Sequence, residues 1–320
     1  MGSLATKTPR RDGQPMIAII PSHYSKAIDR IGEKLVQYAP AAVEIGPRTN
    51  SLGPAVRYME HEKQGNLVVL YCNGFHDRYC ALAQRLRDRG QKYAVVQIAL
   101  HTTRHKSTNT WRELWRHATV VWTYYPLDAW IAEDGGAPID FNFYNTPLGV
   151  DAEIFTDTPV VPRAITCMTS TAQRNQEGGA ECDEAAFRIP GGNLFQLGNE
   201  ITNMRCPTQT LKGIDDYKLA EMYRQCQFVS GLRRHEGFEL PAAEGILCGA
   251  RPLLYNQLHY RRWFEPWGVF VQEQRPSHVA EALFPIFQAG PTPITADERA
   301  AAVKLFNWET IVKGFWERAL

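Results

Sequence analysis

The stretch "GLRRHEGFELPAAEGILCGARPLLY", Gly231–Tyr255, carries the most specific pattern in this chain of 320 residues. It continues an apolar strand, "QFVSG", and ends in a second one, "RPLLY". Pro241 suits the first turn of a helix, so the pattern predicts strand, loop, helix and strand in succession. Two glutamates bracket the helix start, because Glu236 lies in the loop and Glu244 about one turn into the helix.

A helix start of this kind suits an anion. The N–H groups at the helix start, from Phe238 to Ala242 but without Pro241, which has none, lack partners within the helix. Together with the helix dipole they favour a group such as a diphosphate. Glu244 is placed to accept hydrogen bonds from vicinal hydroxyls, as on a ribose, and Glu236 to reach a second polyol. The arrangement fits a nucleotide diphosphate sugar. The alternative is an ordinary surface helix with solvated glutamates, since the spacing of two glutamates alone is weakly specific.

The complete string is far more specific than the spacing. It resembles the "S…EGFGLPxxEAMACGxPVV" signature of retaining GT-B glycosyltransferases of the family-4-like group 1, which use nucleotide diphosphate sugars. Three further segments resemble that family: "NTPLGVDAEIF" (145–155), "DYKLAEMYRQCQFVSGLR" (216–233) and "FNWETIVKGFWERAL" (306–320). The resemblance covers the second half of the chain well, whereas the first half matches in strand order more than in residues.

Apolar runs such as 66–74 and 93–101 alternate with amphipathic helices, which predicts parallel α/β sheets. The resemblance adds the GT-B architecture: two Rossmann-like doubly wound domains that face a central cleft, and a C-terminal helix that crosses back to the first domain. A single closing helix is predicted from about Thr295 onwards. The expected segments are a disordered leader (1–15), an N-terminal acceptor domain (16–157), a donor domain (158–300) and the C-terminal helix (301–320).

The resemblance implies roles for individual residues. Glu236, as a catalytic residue, holds the hydroxyls of the donor sugar, Glu244 binds the ribose, and His101 occupies the place of the family's active-site histidine. Without the resemblance, His101 is a lone loop histidine. The backbone that completes the donor site is that of Gly237, Phe238, Glu239 and Leu240, the last of which faces the diphosphate.

Two departures from the family affect the cation and the acceptor side. The family's diphosphate-binding Arg and Lys correspond here to "CMTSTAQRNQEGG" (167–179), in which the Lys is not kept. Arg174 is the best cation there, and Arg233 or Arg234 is an alternative. The family's Gly-rich first loop is replaced by "PSHYSKA" (21–27). His23, Lys26 and Arg104 are candidate acceptor contacts, or simply exposed polar residues.

The implied reaction transfers a hexose, from a donor like UDP-glucose, to a hydroxyl acceptor with retention of configuration. No pair of carboxylates dedicated to nucleophile and acid is evident, so a front-face route is expected in which the leaving phosphate helps to deprotonate the acceptor. No metal triad is visible in the sequence. Neither a metal nor a cofactor is expected, apart from the nucleotide sugar itself.

The sequence does not identify the acceptor. Arg residues alternate with aromatic residues in "TTRHKSTNTWRELWRH" (102–117) and "HYRRWFEPW" (259–267), a mixture that can follow phosphates and stack on bases. That makes hydroxymethylated duplex DNA one candidate acceptor, as for phage-type DNA glucosyltransferases that flip a base. The alternative is that Trp111, Leu114 and Trp115 form the core face of a helix. A lipid carrier, a saccharide, a small metabolite or a non-catalytic binding scaffold are further alternatives.

Composition narrows the class of protein. The formal net charge is +1, which does not indicate a generally cationic surface for nucleic acid. The seven cysteines are scattered without a CxxC pair, which favours reduced thiols and a cytoplasmic location. No apolar run reaches the roughly 18 residues of a membrane span. The oligomeric state is not predicted.

Overall fold

The computed structural model describes residues 16–20, 26–46, 67–73, 76–99, 111–127, 129, 141–171, 177–198, 203–234 and 237–320. The chain divides into two units. Unit 1 comprises Met1–Leu148 and Trp308–Leu320, and unit 2 comprises Gly149–Asn307. Each unit contains one six-stranded sheet.

The strands and helices alternate along the chain. The strands are β1 (Met16–Ile20), β2 (Ala42–Ile45), β3 (Leu67–Asn73), β4 (Tyr93–Ala99), β5 (Val121–Thr123), β6 (Phe143–Asn145), β7 (Ile165–Thr171), β8 (Leu194–Gly198), β9 (Thr208–Leu211), β10 (Cys226–Gly231), β11 (Arg251–Tyr255) and β12 (Val269–Val271). The helices are α1 (Lys26–Gln37), α2 (His76–Asp88), α3 (111–116), α4 (Gly179–Phe187), α5 (Asp216–Gln225), α6 (Leu240–Leu247), α7 (Leu258–Phe264), α8 (Pro276–Ala289), α9 (Ala296–Leu305) and α10 (Trp308–Ala319).

Both sheets are parallel in every strand pair that the structure describes. Their orders are β2-β1-β3-β4-β5-β6 and β12-β11-β10-β7-β8-β9. Successive residues of the central strands are buried, such as Val68, Val69 and Leu70 in β3, because helices cover both faces of such a sheet. The predicted pair of doubly wound parallel sheets is confirmed.

The closing helix differs from the prediction. It is two helices, and the break lies at Phe306 and Asn307. Thr295 precedes α9 and forms a capping box with Glu298, so the helix begins where it was predicted. The ring of Phe306 is buried against Trp267 and Phe264, which fixes the end of α9 in unit 2.

The second of these helices, α10, belongs to unit 1, so the expected return of the C-terminal helix is confirmed. The indole N–H of Trp316 donates to the carbonyl oxygen of Leu35 at 3.2 Å. The hydroxyl of Tyr144 donates to the carbonyl oxygen of Ile311 at 2.9 Å. Gly314 is required at this contact, since a Cβ there would lie 3.0 Å from Cζ of Tyr144.

The unit boundaries lie at Leu148/Gly149 and Asn307/Trp308, whereas 157/158 and 300/301 were expected. The intervening residues contact unit 2. The N–H of Val150 donates to the carbonyl oxygen of Phe306 at 2.8 Å, and Arg224 donates to the carbonyl oxygen of Thr156 at 3.1 Å. These bonds hold the chain on both sides of the crossing between the units, near Val150 and near Phe306, against unit 2.

The aromatic residues of the two Arg-rich stretches lie in the cores of their units. Trp111, Leu114 and Trp115 are buried on α3, which confirms the alternative that they form a core face. In the second stretch, which contains the unpredicted helix α7, Trp263 and Trp267 are also buried. None of these four tryptophans has an open ring face on which a base could stack.

Short elements at the sheet edges escaped prediction. They are β2, β6 and β9, whose residues are mostly half-buried and therefore show no continuous apolar run. Within the described part of the chain, no helix is long and apolar enough to cross a membrane.

None of the seven cysteines forms a disulfide; six of them are buried, and Cys80 is partly exposed. Burial raises the pKa of the Cys72 thiol well above its usual value, and it raises the pKa of Cys206 and of Cys248 to about 12. A raised pKa keeps a thiol protonated, and hence unreactive, below that pKa.

We therefore expect one thiol per native chain to react with an aromatic disulfide reagent at about pH 8, and all seven to react after denaturation. Absorbance of the released thiolate counts them. A Cys80→Ser variant is the control and should show no fast reaction. Two or more fast thiols in the native protein would contradict the described burial.

Candidate functional site

The strand order of unit 2 reverses between β7 and β10. From β7 the chain builds outwards through β8 and β9, and it then returns to build β10, β11 and β12 on the other side. In open parallel sheets, ligands bind beyond the carboxyl ends of the strands at such a reversal. Residues that follow β7 and β10 are therefore the candidates for a site in this unit.

Helix α6 begins beside this reversal because it packs very closely on β10. A Cβ at Gly245 would lie 2.8 Å from Cγ2 of Val229. A Cβ at Gly231, the last residue of β10, would lie 3.0 Å from Cγ of Glu239, the residue that precedes the helix. Glycine at both positions lets the helix lie against the strand, and Pro241 stands in its first turn as predicted.

The start of α6 is not capped by its own N-cap side chain. Glu239 is the N-cap residue, and its side chain makes no cap hydrogen bond. The carboxylate, which is fully buried, turns aside instead: Oε2 lies 3.4 Å from Nε of Arg233, and Oε1 accepts from the hydroxyl of Tyr260 at 3.3 Å. An acceptor at the first N–H groups of this helix therefore has to come from elsewhere, and an anion meets that need.

Glu244 lies on the buried face of α6 with 4% of its surface exposed. Its Oε2 accepts a hydrogen bond from the hydroxyl of Tyr223, on the adjacent helix α5, at 3.1 Å. Burial, and next the nearby Glu244 carboxylate, raise the pKa of Tyr223 well above its usual value. The phenol therefore stays protonated and remains a hydrogen-bond donor that orients Glu244.

Gly237 and Phe238 precede the helix and are buried. The Phe238 ring packs against Phe264 at a centroid distance of 5.2 Å and against Phe306 at 5.9 Å. These contacts anchor the loop immediately before α6, so its backbone has a defined path from Gly237 to Leu240.

The remaining predicted site residues are His101, Glu236, Arg174, His23 and Arg104, and they lie outside the described residues. Lys26 begins α1, but its side chain is also outside the description. In the chain, Arg174 follows β7 and Glu236 follows β10, the two strands that flank the reversal. The structure describes Gly237, Phe238, Glu239, Leu240 and Glu244, and it brings these together at the start of α6.

Arg234, an alternative diphosphate cation, is engaged with carboxylates. One of its terminal nitrogens lies 2.8 Å from Oε1 of Glu181 in α4, and the other lies 3.1 Å from Oε1 of Glu273 beyond β12. Glu181 is fully buried and also accepts from the hydroxyl of Tyr255 at 3.2 Å. This cluster joins residues at or beyond the carboxyl ends of four neighbouring strands, β7, β10, β11 and β12, so it holds Arg234 in place after β10.

Sequence reasoning missed Tyr223, Tyr260 and Glu181 as supports of this site. The signal for Tyr223 is its place in the lead-in segment 216–233. Glu181 is an acidic residue in the first turn of α4, but Asp183 and Glu184 follow it in the same helix, so the sequence does not single it out. Tyr260 carries no separable signal, because its partners lie on distant parts of the chain.

No group of three or more His, Cys, Asp or Glu side chains suited to a metal ion occurs among the described residues.

Comparisons with solved structures agree with this topology. Sucrose-phosphate synthase from Thermosynechococcus elongatus superposes with a TM-score of 0.72 at 14% identity, over 95% of this chain and 98% of that one. The Anabaena protein HepE, in complex with UDP and glucose, gives a TM-score of 0.68 at 14% identity over the same shares. The chain has the GT-B fold. A trehalose-phosphate synthase (UDP-forming) from Burkholderia xenovorans, in complex with glucose-6-phosphate, gives 0.65 at 10% identity over 96% of this chain and 100% of that one.

No protein-family model matches the chain, and no curated protein sequence matches it.

The Tyr223–Glu244 bond predicts a measurable stability difference. Tyr223→Phe should lower the free energy of unfolding by about 1–3 kcal/mol, because a buried carboxylate loses a donor. Urea titration measures it. Tyr217→Phe is the matched control on the same helix, since that side chain is exposed, and it should have no effect. Equal values for the two variants would show that the bond contributes nothing.

Proposed function

We propose that the chain is a retaining glycosyltransferase that moves a hexose from a nucleotide diphosphate sugar, with UDP-glucose as the first candidate, to a hydroxyl acceptor. The observation that carries the proposal is the start of α6 at the sheet reversal, with its N-cap side chain turned aside and Glu244 one turn inside the helix. A diphosphate at the helix start and a ribose on Glu244 fit the chemistry of those groups.

The solved neighbours support the donor class. HepE has been solved with UDP and with UDP-glucose, and the Burkholderia xenovorans neighbour is described as UDP-forming. Those are properties of the neighbours, and their identities to this chain are 14% or lower. We extend them to this chain because the donor-side signature, residues 236–244, stands at the position where the topology of unit 2 favours a ligand.

In the proposed reaction, the bond between the anomeric carbon and the phosphate oxygen breaks, and the acceptor oxygen bonds to that carbon on the same face. The acceptor's proton passes to the leaving diphosphate. The chain's contribution is orientation and charge stabilisation. The α6 N-terminus and Arg174 would stabilise the leaving diphosphate, while Glu236 and the backbone of residues 237–239 would hold the sugar.

His101 is proposed to lie near the transferred sugar, and His23, Lys26 and Arg104 on the acceptor side. Tyr223 gains a supporting role, since it orients the carboxylate that binds the ribose. For the acceptor, we propose only that it carries the hydroxyl group that receives the sugar.

Donor hydrolysis tests the proposal directly. Wild-type protein with UDP-glucose and no acceptor should release UDP and glucose slowly. Glu244→Gln should raise the KM for the donor by about tenfold, because the ribose loses a charged acceptor. Glu221→Gln, on the exposed face of neighbouring α5, is the control and should stay within about twofold.

If Glu244→Gln hydrolysed the donor with an unchanged KM, Glu244 would not be the residue that binds the ribose. If the wild type released no sugar from UDP- or GDP-hexoses, with or without a panel of hydroxyl acceptors, the alternative of a non-catalytic binding scaffold would replace the proposal.

A DNA acceptor is less favoured by the structure than by the sequence, since the tryptophans of both Arg-rich stretches are buried. We expect neither plain nor hydroxymethylated duplex DNA to shift in a native gel at about 50 mM salt. A shift that weakens steeply as salt is raised would restore DNA as the acceptor.

A further inference from the structure

An ion pair stands at the N-cap of α6. The carboxylate of Glu239 is fully buried, and Nε of Arg233 lies 3.4 Å from its Oε2. The hydroxyl of Tyr260 lies 3.3 Å from the other carboxylate oxygen and 3.0 Å from the carbonyl oxygen of Arg233, so it is within donating distance of both. Tyr260 thereby holds the two charged residues in one arrangement.

A carboxylate in this place opposes the function of a helix start as an anion site. Glu239 is the residue from which α6 begins, so its charge lies within a side chain's length of the first N–H groups. Two negative charges repel each other more strongly in a buried setting than in water. An uncompensated Glu239 would therefore weaken the binding of a diphosphate there.

We propose that Arg233 tunes the affinity of the α6 anion site by neutralising Glu239, rather than by contacting the diphosphate itself. This inference rests on the proposed function, because it takes the diphosphate of the donor as the anion. The pair leaves no net charge at the N-cap, so the helix dipole and the N–H groups at the helix start keep their attraction for the ligand. Arg233 is in these terms a positioning and charge-balancing residue.

The two roles for Arg233 predict different results when both charges are removed. If Arg233 acts through Glu239, removing the pair restores a neutral N-cap and hence the wild-type affinity. If Arg233 binds phosphate directly, removing the pair still deletes the contact. The double variant therefore separates the roles, whereas Arg233→Gln alone weakens binding under both.

The experiment measures the Kd of UDP by calorimetry at about 50 mM salt for four variants of the full chain. Arg233→Gln should raise the Kd of UDP by about tenfold, and Glu239→Gln should lower it severalfold. The double variant Arg233→Gln/Glu239→Gln should return to within about twofold of wild type. Arg233→Lys, which keeps the charge, should also stay close to wild type. The differences should shrink at about 500 mM salt because the charges are screened.

Glu298→Gln is the matched control. It breaks a comparable pair in unit 2, since Oε1 of Glu298 lies 2.9 Å from a terminal nitrogen of Arg251, but Arg251 begins β11 at the amino edge of the sheet. Its Kd for UDP should equal that of wild type within about twofold. A loss of affinity there would show that any broken pair disturbs the site, and would overturn the inference.

A double variant as weak as Arg233→Gln, or equal Kd values in all variants, would also overturn the inference while leaving the proposed function intact. If wild-type protein bound no UDP, the UDP-sugar donor and the inference would fall together. Arg233→Gln strands a buried carboxylate and is the variant most at risk of not folding. In that case Glu239→Gln and the double variant decide the outcome, because neither leaves a charged carboxylate without its partner at position 239. The inference then requires tighter UDP binding in Glu239→Gln and a wild-type Kd in the double variant.

Discussion

The close packing of α6 on β10 is the constraint on which the candidate site depends. Because Gly231 and Gly245 remove side chains at the contact, the helix starts directly beyond the end of a central strand, next to the sheet reversal. Any side chain at Gly245 would push the helix away from Val229 and move its N-terminus with it. The position of the site is therefore set by the backbone packing of α6 on β10, and the functional side chains depend on that packing.

Buried carboxylates surround that position, and each has a partner from another element. Glu181 is held by Arg234 and Tyr255, Glu239 by Arg233 and Tyr260, and Glu244 by Tyr223. Burying charge is costly, so such pairs are weak evidence for stability. Their consistent use of tyrosine hydroxyls and arginines indicates a different benefit, namely that each carboxylate is held in a fixed orientation. Catalysis by orientation and charge stabilisation needs that property of its supports.

The sequence contained the fold and the local geometry of the donor-side segment. Apolar runs predicted the parallel strands and Pro241 predicted the start of α6, whereas Glu236 lies outside the described residues and its role stays a prediction. The partners could not be predicted in the same way, because Tyr260 and Glu181 reach the site only through the tertiary fold. The closing helix was misjudged for a related reason. The segment 296–319 has no Pro and no Gly near the break, and the burial of Phe306 against unit 2 shows where the first helix ends.

The division of the chain at Leu148/Gly149 and again at Asn307/Trp308 means that unit 1 is discontinuous in sequence. Its last piece, α10, covers Trp122 with the ring of Phe315 and reaches Leu35 through Trp316. During synthesis, the ribosome makes this piece after all of unit 2. The nascent first unit therefore waits with part of its apolar surface uncovered for as long as it takes to translate the second, and it is in that interval, rather than in the finished molecule, that a chaperone has most to protect.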